Sequence, residues 1–234
     1  MTARNAARLR PFDDESVRDR LLELPARLCD EVERGVRRLG APNVALARLW
    51  QTAVLIEIEL AVPLRMANLA ALRIGTHLVR LPGGGLVLVL NEEEVKNGLP
   101  LEVALPASAA AMITRYIERY RPLLGAAGSD WLFPGRTPGR RKSHDAVRDQ
   151  ITKTLAERCG IAMHPHLFRH LAGKLILDQD PKAHGLVQRV LGHKHISTTM
   201  GFYTGLETAR AVQHYQAIVQ GGGPQPPRDK RGRR

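Results

Sequence analysis

Two cysteines, Cys29 and Cys159, are all the chain carries in 234 residues. They are too few for a disulfide framework and do not stand at metal-ligand spacing, which excludes a stapled scaffold and a cysteine-held zinc site. No apolar run approaches the roughly 20 residues that cross a bilayer. The opening stretch, Met1 to Arg10, is polar and arginine-rich and lacks the apolar centre of a signal peptide. The chain is therefore expected in the cytoplasm, with no membrane partner. Internal repeats are absent as well. Acidic residues are in short supply: 23 Asp plus Glu stand against 35 Lys plus Arg, a formal net charge of +12. Such an excess points to a polyanionic partner, of which nucleic acid is the usual one, although a merely soluble basic protein shows the same balance.

A hydrophobic fraction of 44% is enough for a real core, and the length suits one good-sized domain with short appendages. Residues 14–39 read as a helix with an apolar stripe of imperfect period, Leu21, Leu22, Leu24, Leu28 and Val32, broken or kinked at Pro25. Pro42-Asn43 opens a second helix through about Leu60, and a third is expected from Asn68 to Ile74, stopping at Gly75. Three β-rich runs follow, Leu78 to Leu81, Gly85 to Leu90 and Leu101 to Leu105, separated by Pro82-Gly83-Gly84-Gly85 and Lys96-Asn97-Gly98-Leu99-Pro100. They suggest a small three-stranded antiparallel sheet. Helices resume at Ser108 to Tyr120, a Gly/Pro/Arg-rich loop covers Phe133 to Lys142, and Ser143 caps a helix that Gly160 ends. Further short helices fit 166–178, 185–192, 198–204 and 207–219. The expected fold is mainly α with one small three-stranded antiparallel sheet. Residues 1–40 form an N-terminal segment and helix, 41–219 the main domain, and 220–234 a disordered basic tail.

Chemistry concentrates in a few places. In His166-Leu167-Phe168-Arg169-His170 the spacing i, i+3 puts His166 and Arg169 on one helix face. In Leu191-Gly192-His193 the glycine lets a helix end and turn His193 outward. Tyr203 lies ten residues after His193. Arg65 sits in the apolar stretch Pro63 to Leu69, where a charge needs a partner or a task. Lys96 occupies the turn between the second and third strands. Taken singly, each has an ordinary explanation: a chance His-x-x-Arg pair, a helix C-cap, a packing tyrosine, a structural ion pair of Arg65 with Glu57 or Glu59.

Their order is what discriminates. An Arg, a Lys in a β-turn, His-x-x-Arg, Leu-Gly-His and then Tyr, over residues 44 to 206, resemble the catalytic domain of the tyrosine recombinase (phage integrase) family. The most specific stretch is Leu191 to Tyr203, with its Leu-Gly-His and its Thr198-Thr199 ahead of the tyrosine. Two departures stand out. Many family members place the nucleophile nine residues after the histidine, where this chain has Phe202; the Phe-Tyr form of some integrase subgroups fits instead, with Tyr215 as the other possible nucleophile. Asn68 stands where the family often has an acidic residue beside the first arginine.

The resemblance implies an enzyme that cleaves and rejoins double-stranded DNA through a covalent 3′-phosphotyrosine. Its catalytic residues would be Arg65, Lys96, His166, Arg169, His193 and Tyr203. Two guanidiniums suit a phosphodiester because they bind its non-bridging oxygens in bidentate fashion and stay charged. The phenol, with an ordinary pKa near 10, must lose a proton during attack, and His166 is the acceptor implied. Lys96 would protonate the leaving 5′ oxygen. No cofactor or metal is needed for this chemistry, and four protomers on DNA are implied. Family members usually carry a further helical domain ahead of the catalytic one. The roughly 40 residues before the first core helix are too few for it, so an excised or truncated catalytic domain, or a minimal relative, is expected. Other readings are a recombinase-derived DNA-binding regulator without catalysis, a type IB topoisomerase-like enzyme, and a metal site built on His164, His166, His170, His193 and His195. The last lacks the Glu of His-Glu-x-x-His.

Overall fold

In a computed structural model of the chain, residues 3–192 are described, apart from residues 97 and 126. The helices expected at 198–204 and 207–219, the basic tail, His193 and Tyr203 lie outside the described residues. A short helix α1 (Ala3–Leu9) and a 3-10 turn (Arg10–Asp13) lead into α2 (Glu15–Leu22) and α3 (Leu24–Leu39). The Asp14 side chain accepts the Ser16 N–H at 2.8 Å and starts α2. The expected 14–39 helix is thus two helices, and the break falls at Glu23. Pro25 sits in the first turn of α3, where its missing N–H costs nothing. Helix α1 was not anticipated; Leu9 and Phe12 anchor this region in the core.

Asn43 accepts the Leu46 N–H at 3.0 Å and opens α4 (Val44–Ala61), 18 residues long. Burial extends around most of its circumference, from Trp50 through Ala53, Val54, Leu55 and Ile56 to Ile58. A helix apolar nearly all round belongs at the centre of a core, and α3 and later helices pack around it. Helix α5 (Met66–Ala70) is shorter and earlier than the expected 68–74. Arg65 takes the N-cap position. Residues 72–74 are drawn off instead into pairing with the Trp131 region: the Ile74 N–H donates to Asp130 O at 2.8 Å, and the Leu132 N–H to Leu72 O at 2.8 Å. Tertiary pairing here overrides helix propensity.

The sheet is a meander, β1 (Leu78–Arg80), β2 (Leu86–Leu90) and β3 (Leu101–Ala104), antiparallel in the order β1-β2-β3. Leu78 pairs with Leu88, and Leu88 with Val103, so one face lies on the core. Helix α6 (Ala107–Arg115) continues through a π turn (Tyr116–Tyr120) and a 3-10 turn (Arg121–Leu124). The π turn brings Tyr120 against Trp50, ring centroids 4.5 Å apart, and sets the Tyr116 hydroxyl 2.8 Å from Gln51 Nε2. Ser143 caps α7 (His144–Cys159) and Gly160 ends it with φ of 70°. Helices α8 (His166–Gln179) and α9 (His184–Leu191) complete the described chain. Among the described residues no helix is long and apolar enough to cross a membrane.

Candidate functional site

Three separate segments meet at one cleft of about 560 Å³. The loop after α4 brings Pro63 and Arg65, the β2–β3 connection brings Val95, Leu99 and Pro100, and the end of α9 brings Gln188 to Gly192; Arg169 reaches in from α8. Arg65 is half-buried, held by its backbone. As the cap of α5, its carbonyl accepts the N–H groups of Asn68 at 2.9 Å and Leu69 at 3.0 Å. No hydrogen bond or ion pair joins the Arg65 side chain to a described residue, and neither Glu57 nor Glu59 is its partner. Glu57 lies beside Cys29 of α3, and Glu59 faces Arg169.

Arg169 is 8% exposed, in the first turn of α8. One terminal nitrogen donates to Pro63 O at 2.6 Å and the other to Leu191 O. Leu191 is the last residue of α9, so its carbonyl has no partner within the helix, and the guanidinium supplies the missing donor. Gly192 then turns left-handed with φ of 58°, a conformation that suits glycine, and ends the helix. Arg169 thereby ties the loop after α4 to the segment that leads into Leu-Gly-His.

His166, three residues earlier on α8, presents its ring toward the same region. Partial burial, the Arg169 guanidinium and then the Arg65 guanidinium hold its pKa below the ordinary value, which keeps it neutral at pH 7. Its ring lies 5.2 Å from that of His170 in an edge-on contact and 6.4 Å from that of His164. His170 is buried, with its pKa depressed to about 4, mainly by burial and then by His166. Lys174, buried one turn further on, is neutralised by Asp13 at 2.6 Å and Asp178 at 2.8 Å. Among the described residues, no three His, Cys, Asp or Glu side chains gather in a metal-binding group.

Lys96 is exposed in the turn between β2 and β3, beside the cleft residues Val95 and Leu99. What steadies that turn was not legible in sequence. The Arg73 N–H donates to His77 Nδ1 at 2.9 Å, so the proton of a neutral ring lies on Nε2 and donates to Glu94 Oε1 at 2.7 Å. Glu94 in turn accepts the Asn91 N–H at 2.9 Å and closes a capping box on the 3-10 turn Glu92–Glu94. The Asn91 backbone bond, ahead of the His77 contact, holds the Glu94 carboxyl below the usual range. Two residues later the chain reaches Lys96.

A second, larger concavity of about 1000 Å³ lies at the other end of α4. Arg48, Arg136, Arg140, Arg141 and Lys142 line it, and no acidic side chain does among the described residues. The Lys142 ammonium donates to Gln51 Oε1 at 2.8 Å and to Gln150 Oε1. Burial, then Arg48 and Arg136, lower its pKa to about 8. The run Arg140-Arg141-Lys142 offers a sequence cue; its convergence with Arg48 does not.

Comparison with known proteins points to one family. The model of the phage integrase family matches residues 40–210. A tyrosine recombinase XerC of Azotobacter vinelandii is 31% identical over 179 residues, which is 75% of this chain and 54% of the relative. A XerC of Pseudomonas putida is 36% identical over 94 residues, 39% of this chain and 29% of that protein. The chain thus spans about half, or less, of the length of these curated relatives. In structure it resembles the XerH site-specific recombinase bound to palindromic difH substrate in a post-cleavage complex. That match has a TM-score of 0.59 and 19% identity, and covers 83% of this chain and 52% of that one. A pre-cleavage XerH complex gives a TM-score of 0.56 at 18% identity over 81% of this chain and 51% of that one. On the family match over most of its length, this chain belongs to the phage integrase family.

Proposed function

We propose that this chain is the catalytic part of a site-specific DNA recombinase that cuts and rejoins strands through a 3′-phosphotyrosine on Tyr203. The observation that carries the reading is the pairing of Arg65 and Arg169 on one cleft, with a neutral His166 under the influence of both. The guanidiniums bind the non-bridging oxygens of the scissile phosphate and meet the charge that grows on them in the transition state. His166 accepts the phenolic proton as Tyr203 oxygen bonds to phosphorus, and His193 adds a donor to the phosphate. The bond from phosphorus to the 5′ oxygen breaks, and Lys96 gives that oxygen its proton. Attack by another 5′ hydroxyl reverses the step and releases the tyrosine, so the bond energy is conserved.

Double-stranded DNA is the partner this reading requires, and the basic concavity around Lys142 supports it. Along α4, at 1.5 Å per residue, Arg48 lies about 20 Å from the helix end at Ala61, with Arg65 four residues beyond, a length that a duplex backbone can span. Assembly of four protomers on the DNA belongs to the same proposal. The test is a nicked suicide duplex incubated with the protein and resolved under denaturing conditions. A covalent adduct that maps to Tyr203 is expected. Tight binding without an adduct would support the non-catalytic regulator in its place.

A further inference from the structure

Glu59 is a carboxylate inside the core, 2% exposed, one turn before Pro63 on α4. Neither of its oxygens has a hydrogen-bond partner among the described residues. Buried acids are ordinarily paired or hydrogen-bonded, because desolvating a lone carboxylate is costly. We propose that Glu59 is a positioning residue: a proton-exchanging counter-charge behind Arg169 that takes up a proton when a phosphate enters the cleft. The inference rests on the recombinase reading for the identity of that phosphate.

The surroundings of Glu59 leave it one electrostatic partner among the described residues, Arg169 on α8. Groups on the other elements packed around α4 sit elsewhere. Cys29 and Glu33 of α3 and Arg115 of α6 gather near Glu57. Lys142 and Arg48 occupy the opposite end of the helix. Arg65 and His166 lie on the cleft side of Arg169. Burial drives the Glu59 carboxyl well above its usual range, and Arg169 pulls the other way. Burial thus favours the neutral carboxyl and Arg169 the ionised one, so the balance depends on how fully Arg169 is engaged.

Arg169 is held by Pro63 O and Leu191 O, so it cannot swing away from either anion. A phosphodiester arriving in the cleft places a second negative charge on the same guanidinium. Two anions around one buried cation are unfavourable in a low dielectric, and only one of them, the carboxylate, can be neutralised by a proton, because a phosphodiester stays ionised at any working pH. One proton from solvent adds to Glu59 as the phosphate binds, and it leaves again when the phosphate does. An ionised Glu59 competes with the phosphate for Arg169; a protonated one yields to it. The expected consequence is phosphate engagement that weakens as pH rises through the Glu59 titration.

The experiment compares wild type, Glu59→Gln and Glu59→Leu on a nicked suicide duplex. Single-turnover adduct formation per bound complex is followed from about pH 6 to about pH 9. Deprotonation of Tyr203 raises all three rates alike, so the ratio of variant to wild type is what reads out Glu59. That ratio is expected to climb with pH, by up to roughly tenfold per unit where one proton is linked. Proton uptake on binding the duplex, measured by calorimetry in two buffers of different ionisation enthalpy, should be greater for wild type than for either variant. The Leu variant, which removes the buried polar atoms altogether, serves if the Gln variant does not fold. A ratio independent of pH, with equal proton uptake, overturns the proposal. If wild type forms no adduct, the recombinase reading fails, and proton uptake still decides the role of Glu59.

Discussion

Replacing each cleft arginine by lysine should separate two jobs that the geometry divides between them. Arg169 spans two walls, donating to Pro63 O and to Leu191 O from different nitrogens. A lysine carries its three N–H donors on a single nitrogen, which cannot stand at both positions from which the two guanidinium nitrogens reach these carbonyls, so one of the two bonds is expected to be lost. A hydrogen bond from a charged donor is worth about 1.5–3 kcal/mol, and Arg169→Lys forfeits one of them. For a domain of this size 1 kcal/mol moves the melting temperature by about 2–4 °C, so a fall of about 3–12 °C is expected. The Arg65 side chain bonds to no described residue, so Arg65→Lys should stay within about 0.5 kcal/mol of wild type. Cleavage behaves differently. Either lysine loses the bidentate grip on the phosphate, and both variants should lose roughly a hundredfold or more in adduct formation. Calorimetry without DNA gives the first quantity. Adduct formation on a nicked duplex, run below both melting temperatures, gives the second. An Arg169→Lys protein that melts with wild type would refute the tie across the cleft. An Arg65→Lys protein that cleaves normally would return Arg65 to a structural role.

Further outcomes follow from the same site. Tyr203→Phe should abolish the covalent adduct with DNA binding nearly intact; an adduct that survives there and vanishes in Tyr215→Phe would move the nucleophile. Adduct formation should persist in excess chelator, because side chains meet the phosphate charge; loss in EDTA with rescue by one metal would revive the histidine-cluster reading. Lys142 titrates at about 8 in the fold against an ordinary 10.5. Between those values the unfolded chain holds a proton that the folded one has released, so stability rises with pH across that window. Subtracting the unfolding free energy of Lys142→Met should isolate this rise, and a difference that stays constant from about pH 8 to about pH 10.5 would contradict it.

Elements with local signals were legible in the chain. Asn43 and Ser143 cap the helices expected of them, Gly160 ends α7, and the three strands fall within a residue or two of the expected runs. Pro25 marked a break, displaced by two residues because proline is tolerated inside a first turn and not before it. Where expectation failed, a distant partner decided. Arg73 pairs with Trp131 across a β-bridge and lays its guanidinium 4.0 Å from the indole, which takes residues 72–74 out of a helix that their own propensity allows. Helix α1 has little apolar pattern of its own and is anchored by Leu9, Phe12 and the Asp13–Lys174 pair.

The site divides along the same line. Family-like residues such as Arg65, Lys96, His166 and Arg169 are visible because their order and local spacing are encoded in short words of sequence. The groups that hold them are not. Arg169 and Pro63 are 106 positions apart, Lys142 and Gln51 are 91 apart, and His77 and Glu94 are 17 apart across a strand pair. Glu59 offered a partial signal, a carboxylate in a run that is otherwise apolar from Ala53 to Val62 save for Glu57. Its neighbour in sequence, Arg65, is the natural guess for a partner. The helix instead turns Glu59 inward, and the guanidinium that acts on it is that of Arg169 on α8. A charge in an apolar run announces that a partner exists; which partner it is depends on how the helices cross, and that is settled only once they pack.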